Sequence, residues 1–173
     1  MGNKSLRKIV TDGLMIAIVF LATYFTKFPG PVPPGYINLG DAVIIVCAII
    51  FGKRNALIAG ALGSALADFA VGALIYVPVT FVVKGFEGLI MGLIIEKAGN
   101  KRVTQIAAIV AGMAIMVLGY FFAEATFLGA IDSSLGWVAA EADMPLNAIQ
   151  GIASAVIGYA LSFVLAKNKA ISY

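Results

Sequence analysis

Six apolar stretches, at residues 9–26, 37–51, 56–71, 77–95, 103–123 and 145–166, take up most of the chain. Their apolar residues run continuously, without the in-and-out alternation that barrel strands need, so helices are the only backbone that satisfies its own hydrogen bonds in that setting. A helix crosses the hydrocarbon core with about 20 residues, about 17 to 25 being workable. The second and third runs are short by that measure. With hydrophobic residues at 61% and charged residues at 12%, against roughly half and a quarter in soluble domains, the expectation is an all-α integral membrane protein, a six-transmembrane-helix bundle in one domain, 1–173.

Basic residues set the orientation independently. Lys4, Arg7 and Lys8 precede the first run, Lys53 and Arg54 separate the second and third, Lys97, Lys101 and Arg102 separate the fourth and fifth, and Lys167 and Lys169 follow the sixth. Ten of the twelve lysines and arginines therefore share one side if both termini are cytoplasmic, as the positive-inside rule asks. Lys27 and Lys84 are the exceptions. The N-terminus resembles a secretory signal only superficially, because no small-residue cleavage site follows and further apolar runs come after it; it reads as a retained first helix.

The same parity predicts two elaborate outer connections. Residues 27–36 hold Pro29, Pro31, Pro33 and Pro34 with Gly30 and Gly35, a density that stops a helix and makes a semi-rigid extended loop. Residues 124–144, with Glu124, Asp132, Glu141 and Asp143, read as a second loop of twenty-one residues. Long ordered loops are usually lids or binding loops, which places function on the outer face.

Several chemistries are excluded. The chain has no histidine and one cysteine, Cys47, so it has neither a His-based triad nor a zinc-binding cysteine pair. No Gly-x-x-x-x-Gly-Lys-Ser/Thr segment occurs, so it carries no phosphate-binding loop for ATP. The formal charge of +3 sits at the ends of apolar runs, not in a basic stripe for nucleic acid. No cofactor or metal is expected, and no enzymatic activity.

Three clusters could contact a ligand. Lys84 and Glu87 lie three residues apart inside an apolar run, sharing one helical face where ionisable groups by default mark function. Tyr36, Asn38 and Asp41 close the proline-rich loop and open the second helix, with Asn38 as a candidate cap; the same rim would hold Asp68, Tyr76, Glu124 and Trp137. Pro145, suited to a first helical position, precedes Asn147 and Gln150, whose amides project from one face and can donate and accept at once. Small residues at four-residue spacing, Gly13 and Ala17, Ala59 and Gly63, Gly88 and Gly92, Gly151 and Ala155, favour close helix packing.

In the order Gly35-Tyr36-Ile37-Asn38-Leu39-Gly40-Asp41, Lys84-Gly85-Phe86-Glu87-Gly88 and Pro145-Leu146-Asn147-Ala148-Ile149-Gln150, the chain resembles a substrate-binding S component of an energy-coupling-factor (ECF) vitamin transporter. The resemblance implies a multi-pass protein of a prokaryotic plasma membrane that binds a vitamin or precursor at the outer side. It also implies a transmembrane coupling subunit and two cytoplasmic ATPase subunits as partners. Docking would use the first helix, where Gly13-Leu14-Met15-Ile16-Ala17 is small at both ends. Within the family the chain looks closest to members assigned hydroxymethylpyrimidine or pyridoxine, with riboflavin second. Lys84, Glu87, Asn147 and Gln150, with Asn38, Asp41 and an aromatic such as Tyr36, Tyr76 or Trp137, would then line the site. Two rivals remain: a small ion-coupled carrier using Glu87 or Asp68, and a membrane enzyme using Asp41, Asp68 and Glu124.

Overall fold

Packing small residues between apolar helices gives a closed ring. The computed structural model describes residues 3–167, with side chains from residue 5 onward, so Lys169 and the side chain of Lys4 lie outside the described residues. Six helices occur among them: α1 Asn3–Phe25, α2 Gly40–Phe51, α3 Lys53–Val71, α4 Val77–Ala98, α5 Arg102–Ile131 and α6 Trp137–Ala166. Around the ring, α1 packs on α3, α3 on α4, α4 on α5, α5 on α6, α6 on α2 and α2 on α1.

Four of these helices, α1, α4, α5 and α6, are long and apolar enough to cross a bilayer. Large apolar side chains such as Leu14, Leu21, Phe81, Phe86, Val110 and Phe163 stand exposed on them, far more than a water-facing surface carries. The remaining two differ. Helix α2 is a short rod whose residues from Gly40 to Ile49 are buried apart from Val43, the usual fate of a 10–14-residue apolar run. It ends in a wide π turn, Cys47–Phe51, and Gly52 at φ 84° starts α3 directly. Helix α3 carries Arg54, Asn55 and Asp68 and buries ten of its residues.

Glycine lets α3 and α4 approach. Gly88 faces the backbone of Ala56, and Gly92 faces Lys53, where a Cβ would collide with main chain. Gly63 meets Val19 and the Ile16 carbonyl of α1 in the same way. These are the small-residue contacts by which bilayer helices associate without a hydrophobic drive. Gly13 and Ala17, by contrast, are exposed on α1, and nothing stands within 4 Å of a Cβ built on Gly13.

The basic residues gather at one end of the ring. Lys53 pairs with Glu96 at 3.0 Å, the Asn100 amide donates to the Ile49 carbonyl at 3.2 Å, and Arg102 and Lys167 both stack on Phe163. There too Asp12 of α1 accepts from Arg54 at 2.6 Å and Asn55 at 2.8 Å. The opposite end carries the proline-rich loop.

Two expectations need correction. The region 124–144 is not a loop: α5 continues through a π turn at Ala123–Leu128 to Ile131, and α6 begins at Trp137. Only residues 132–136 link them, as a turn in which Asp132 accepts from the Ser134 amide at 2.9 Å and its hydroxyl at 2.7 Å. Its acids misled because Glu124 and Asp143 are turned inward and buried, so their charge did not signal solvent. Pro145 is consequently inside α6, not at its start, where the missing N–H interrupts the ladder. The all-helical expectation also omits a two-residue antiparallel pairing, β1 Phe28–Pro29 with β2 Tyr36–Ile37.

Candidate ligand-binding site

The proline-rich loop folds back on itself because its glycines close the tip. Gly30 donates to the Gly35 carbonyl and Gly35 to the Val32 carbonyl, both at 2.9 Å. Below β2, Asn38 accepts the Gly40 amide on its side chain at 2.8 Å, and the Leu39 amide donates to Thr26 Oγ1 at 2.8 Å. Asn38 thus starts α2 by a turn bond, with Leu39 between it and the helix. The loop is anchored at both ends and lies across the mouth of the ring.

Beneath it is a cavity of about 40 Å³, well below the 300–1,000 Å³ of common small-molecule sites. Tyr36 and Asn38 come from the loop side, Asp68 from α3, Tyr76 and Thr80 from the start of α4, Tyr120 and Glu124 from α5, and Asp143, Asn147 and Gln150 from α6. At that volume the space beneath the Gly30–Gly35 tip does not admit a vitamin-sized ligand as it stands. That tip rests on Asp143: a Cβ on Gly35 would stand 3.3 Å from its Oδ2.

Hydrogen bonds fix most of the lining. The Tyr36 hydroxyl donates to Asp68 Oδ1, the Tyr76 hydroxyl to Glu124 Oε1 at 3.2 Å, and the Thr80 and Tyr120 hydroxyls share a bond at 2.9 Å. Burial, and then the neighbouring Asp68 charge, push the Tyr36 phenol above its ordinary pKa; burial, and then Glu124, do the same to Tyr76. Both remain protonated donors at neutral pH.

Gln150 joins the cavity to a buried ionic network. Its carbonyl accepts the Asn38 amide at 2.7 Å while its NH₂ donates to Asp41 Oδ2 at 2.7 Å. The other Asp41 oxygen binds the Lys84 ammonium, which also lies 3.3 Å from Glu87. Asp41, Lys84 and Glu87 are wholly buried and do not line the cavity; they lie beneath Gln150 and Tyr120, whose ring centroid is 5.4 Å from Lys84 Nζ. Of the sequence candidates, Tyr36, Asn38, Tyr76, Asn147 and Gln150 meet around one space, and Asp41, Lys84 and Glu87 brace it.

Trp137 is placed elsewhere. It is 57% exposed, packs edge-on against Phe121 with ring centroids 5.6 Å apart, and borders a different surface hollow with Val138. Trp137 falls inside the region misdrawn as a loop; as the first residue of α6 it stands exposed. Sequence reasoning missed Thr80, Tyr120 and Asp143 as lining residues. The single polar atom of a tyrosine or threonine in an apolar run gives little signal, and Asp143 was read as part of an outer loop.

Comparison with known proteins bears on the whole chain. The family model for the ECF-type riboflavin transporter S component matches residues 3–167. A Pyrococcus woesei protein described as an uncharacterized protein in the gap 3′ region is 31% identical over 150 residues, 87% of this chain and 95% of that one. The thiamine precursor transporter HmpT of Lactococcus lactis subsp. cremoris (strain MG1363) is 28% identical over 166 residues, 95% of this chain and 89% of the relative. A solved structure of the S component of a bacterial ECF transporter superposes with a TM-score of 0.75 at 20% identity, covering 94% of this chain and 97% of the other; at that identity the likeness speaks for the fold. A ring of apolar helices enclosing a polar cavity, matched over nearly its full length, thus belongs to the ECF-type riboflavin transporter S-component family, the non-catalytic, substrate-binding membrane subunits of vitamin importers.

Proposed function

We propose that this chain captures a small heteroaromatic vitamin or vitamin precursor in the cavity beneath the 27–39 loop, with hydroxymethylpyrimidine or pyridoxine the first choice and riboflavin the second. The observation that carries the reading is the small polar cavity itself, where three tyrosines and three side-chain amides converge from the loop, α4, α5 and α6. Asn147 and Gln150 can pair with ring nitrogens and hydroxymethyl groups, since amides donate and accept; the tyrosine faces supply apolar contact. A cavity of about 40 Å³ asks less opening of the loop for one ring than for a three-ring flavin. The name of the Lactococcus relative points the same way.

In this reading the chain crosses the plasma membrane of a prokaryote six times, with both termini and the basic end cytoplasmic and the loop end outside. Transport is driven by two ATPase subunits acting through a transmembrane coupling subunit, and the exposed Gly13 and Ala17 of α1 meet that subunit. Small residues there let another helix approach closely.

Equilibrium titration of the purified protein in nanodiscs with hydroxymethylpyrimidine, pyridoxine and riboflavin tests the reading. Tight binding of a one-ring compound, with riboflavin weaker, is the expected result. Tighter riboflavin binding selects the second choice. Binding of none of them removes the cavity as a vitamin site.

A further inference from the structure

Three carboxylates on three helices face the cavity: Asp68 on α3, Glu124 on α5 and Asp143 on α6. They are 5%, 3% and 6% exposed, and each leaves one oxygen, Asp68 Oδ2, Glu124 Oε2 and Asp143 Oδ1, without a hydrogen-bond partner. The protein meets each in part: Tyr36 and Thr80 reach Asp68, Tyr76 reaches Glu124, and the Val32 amide reaches Asp143. No lysine or arginine lines the space. Lys84 is committed to Asp41 and Glu87.

An unpaired buried carboxylate is among the costliest things a fold can hold, and three around one small space leave a strong demand for positive charge. An organic cation with several N–H donors is a partner that would meet that demand. Glu124 and Asp143 share a neighbourhood: the Tyr76 hydroxyl donates to Glu124, and a Cβ on Gly35 would stand 3.5 Å from that hydroxyl and 3.3 Å from Asp143 Oδ2.

We propose that the ligand of this cavity is a cation, a six-membered heteroaromatic ring bearing a short aminomethyl arm whose ammonium is received by Glu124 and Asp143. The proposal rests on the reading of this cavity as the ligand site. An ammonium offers three N–H donors and a hydroxymethyl group one, so the amine alone can meet both free oxygens at once. Such charge-assisted bonds are roughly twice as strong as neutral ones. A phosphorylated or carboxylated vitamin is excluded by like-charge repulsion.

Titration calorimetry on the full chain in nanodiscs, with two matched pairs of probes, tests this. The pairs are hydroxymethylpyrimidine against its aminomethyl analogue, and pyridoxine against pyridoxamine. The aminomethyl member of at least one pair is expected to bind about tenfold tighter or more, and Glu124→Gln or Asp143→Asn should bring that ratio to within about twofold. Each variant is read separately, so either suffices if the other does not fold. Equal or tighter binding of the hydroxymethyl members, or an amine preference that both variants keep, overturns the charge assignment while leaving the cavity reading intact. Failure of all four probes and of riboflavin overturns both.

Discussion

Two groups of buried carboxylates sit a few side chains apart in this bundle, and they are treated in opposite ways. Asp41 and Glu87 both lie against the Lys84 ammonium, with Gln150 on the free oxygen of Asp41. Asp68, Glu124 and Asp143 are almost as deeply buried but meet no cation within ion-pair distance; each leaves an oxygen unbonded, as Glu87 also does, but Glu87 has the Lys84 ammonium against it. The first group is a brace between α2, α4 and α6. The second faces the polar hollow under the loop. Depth of burial does not separate the two groups; the presence of a cation does, because a carboxylate against an ammonium is compensated and one without is not.

Breaking the brace has the largest expected effect. Lys84→Met strands Asp41 and Glu87, a loss of about 3–5 kcal/mol, and should lower the thermal unfolding temperature in detergent sharply. Unfolding at the temperature of the unaltered protein would mean that the network is no brace. Next comes Gly88→Leu, which forces α4 off the Ala56 backbone. Overpacking of about 1–3 kcal/mol should lower the same transition and, since Asp68 and Thr80 ride on those two helices, weaken vitamin binding with it. A change confined to stability would show that the cavity tolerates the shift.

The cavity side responds differently. Asn147→Ala removes a lining amide without touching the brace, and about tenfold weaker binding by calorimetry with an unchanged melting temperature is the expected pattern. Loss of stability instead would move Asn147 to the structural group. Smallest of all is Trp137→Ala: the ring packs on Phe121 outside the cavity, so affinity should stay within about twofold. A large drop would place the tryptophan over the mouth when the loop withdraws.

The contrast explains which residues could be read in advance. Lys84 and Glu87 stood out because three-residue spacing puts them on one face, yet Asp41, the partner that accepts the shorter contact, arrives from another helix. Their expected place in the lining became a place beneath it. Asn147 and Gln150 were legible by the same periodicity, and both do reach the cavity. Glu124 and Asp143 were expected in an outer loop, with Glu124 on the rim of the site. A π turn carries Glu124 inward and a helix begun eight residues before Pro145 carries Asp143 inward, and neither shift has a local signal.

What the sequence by itself determined is membrane residence, helical class, the gathering of basic residues at one end and a proline-rich loop that stops the helix, all consequences of hydropathy, charge and φ restriction that act within a few residues. Only the tertiary structure decided that α2 is a buried core rod, that Lys84 is shared by two carboxylates, that Trp137 faces outward and that three acids from separate helices converge on one cavity. Those outcomes depend on which faces meet when six helices close into a ring, and side-chain pairing across such distances in sequence leaves no trace in local composition.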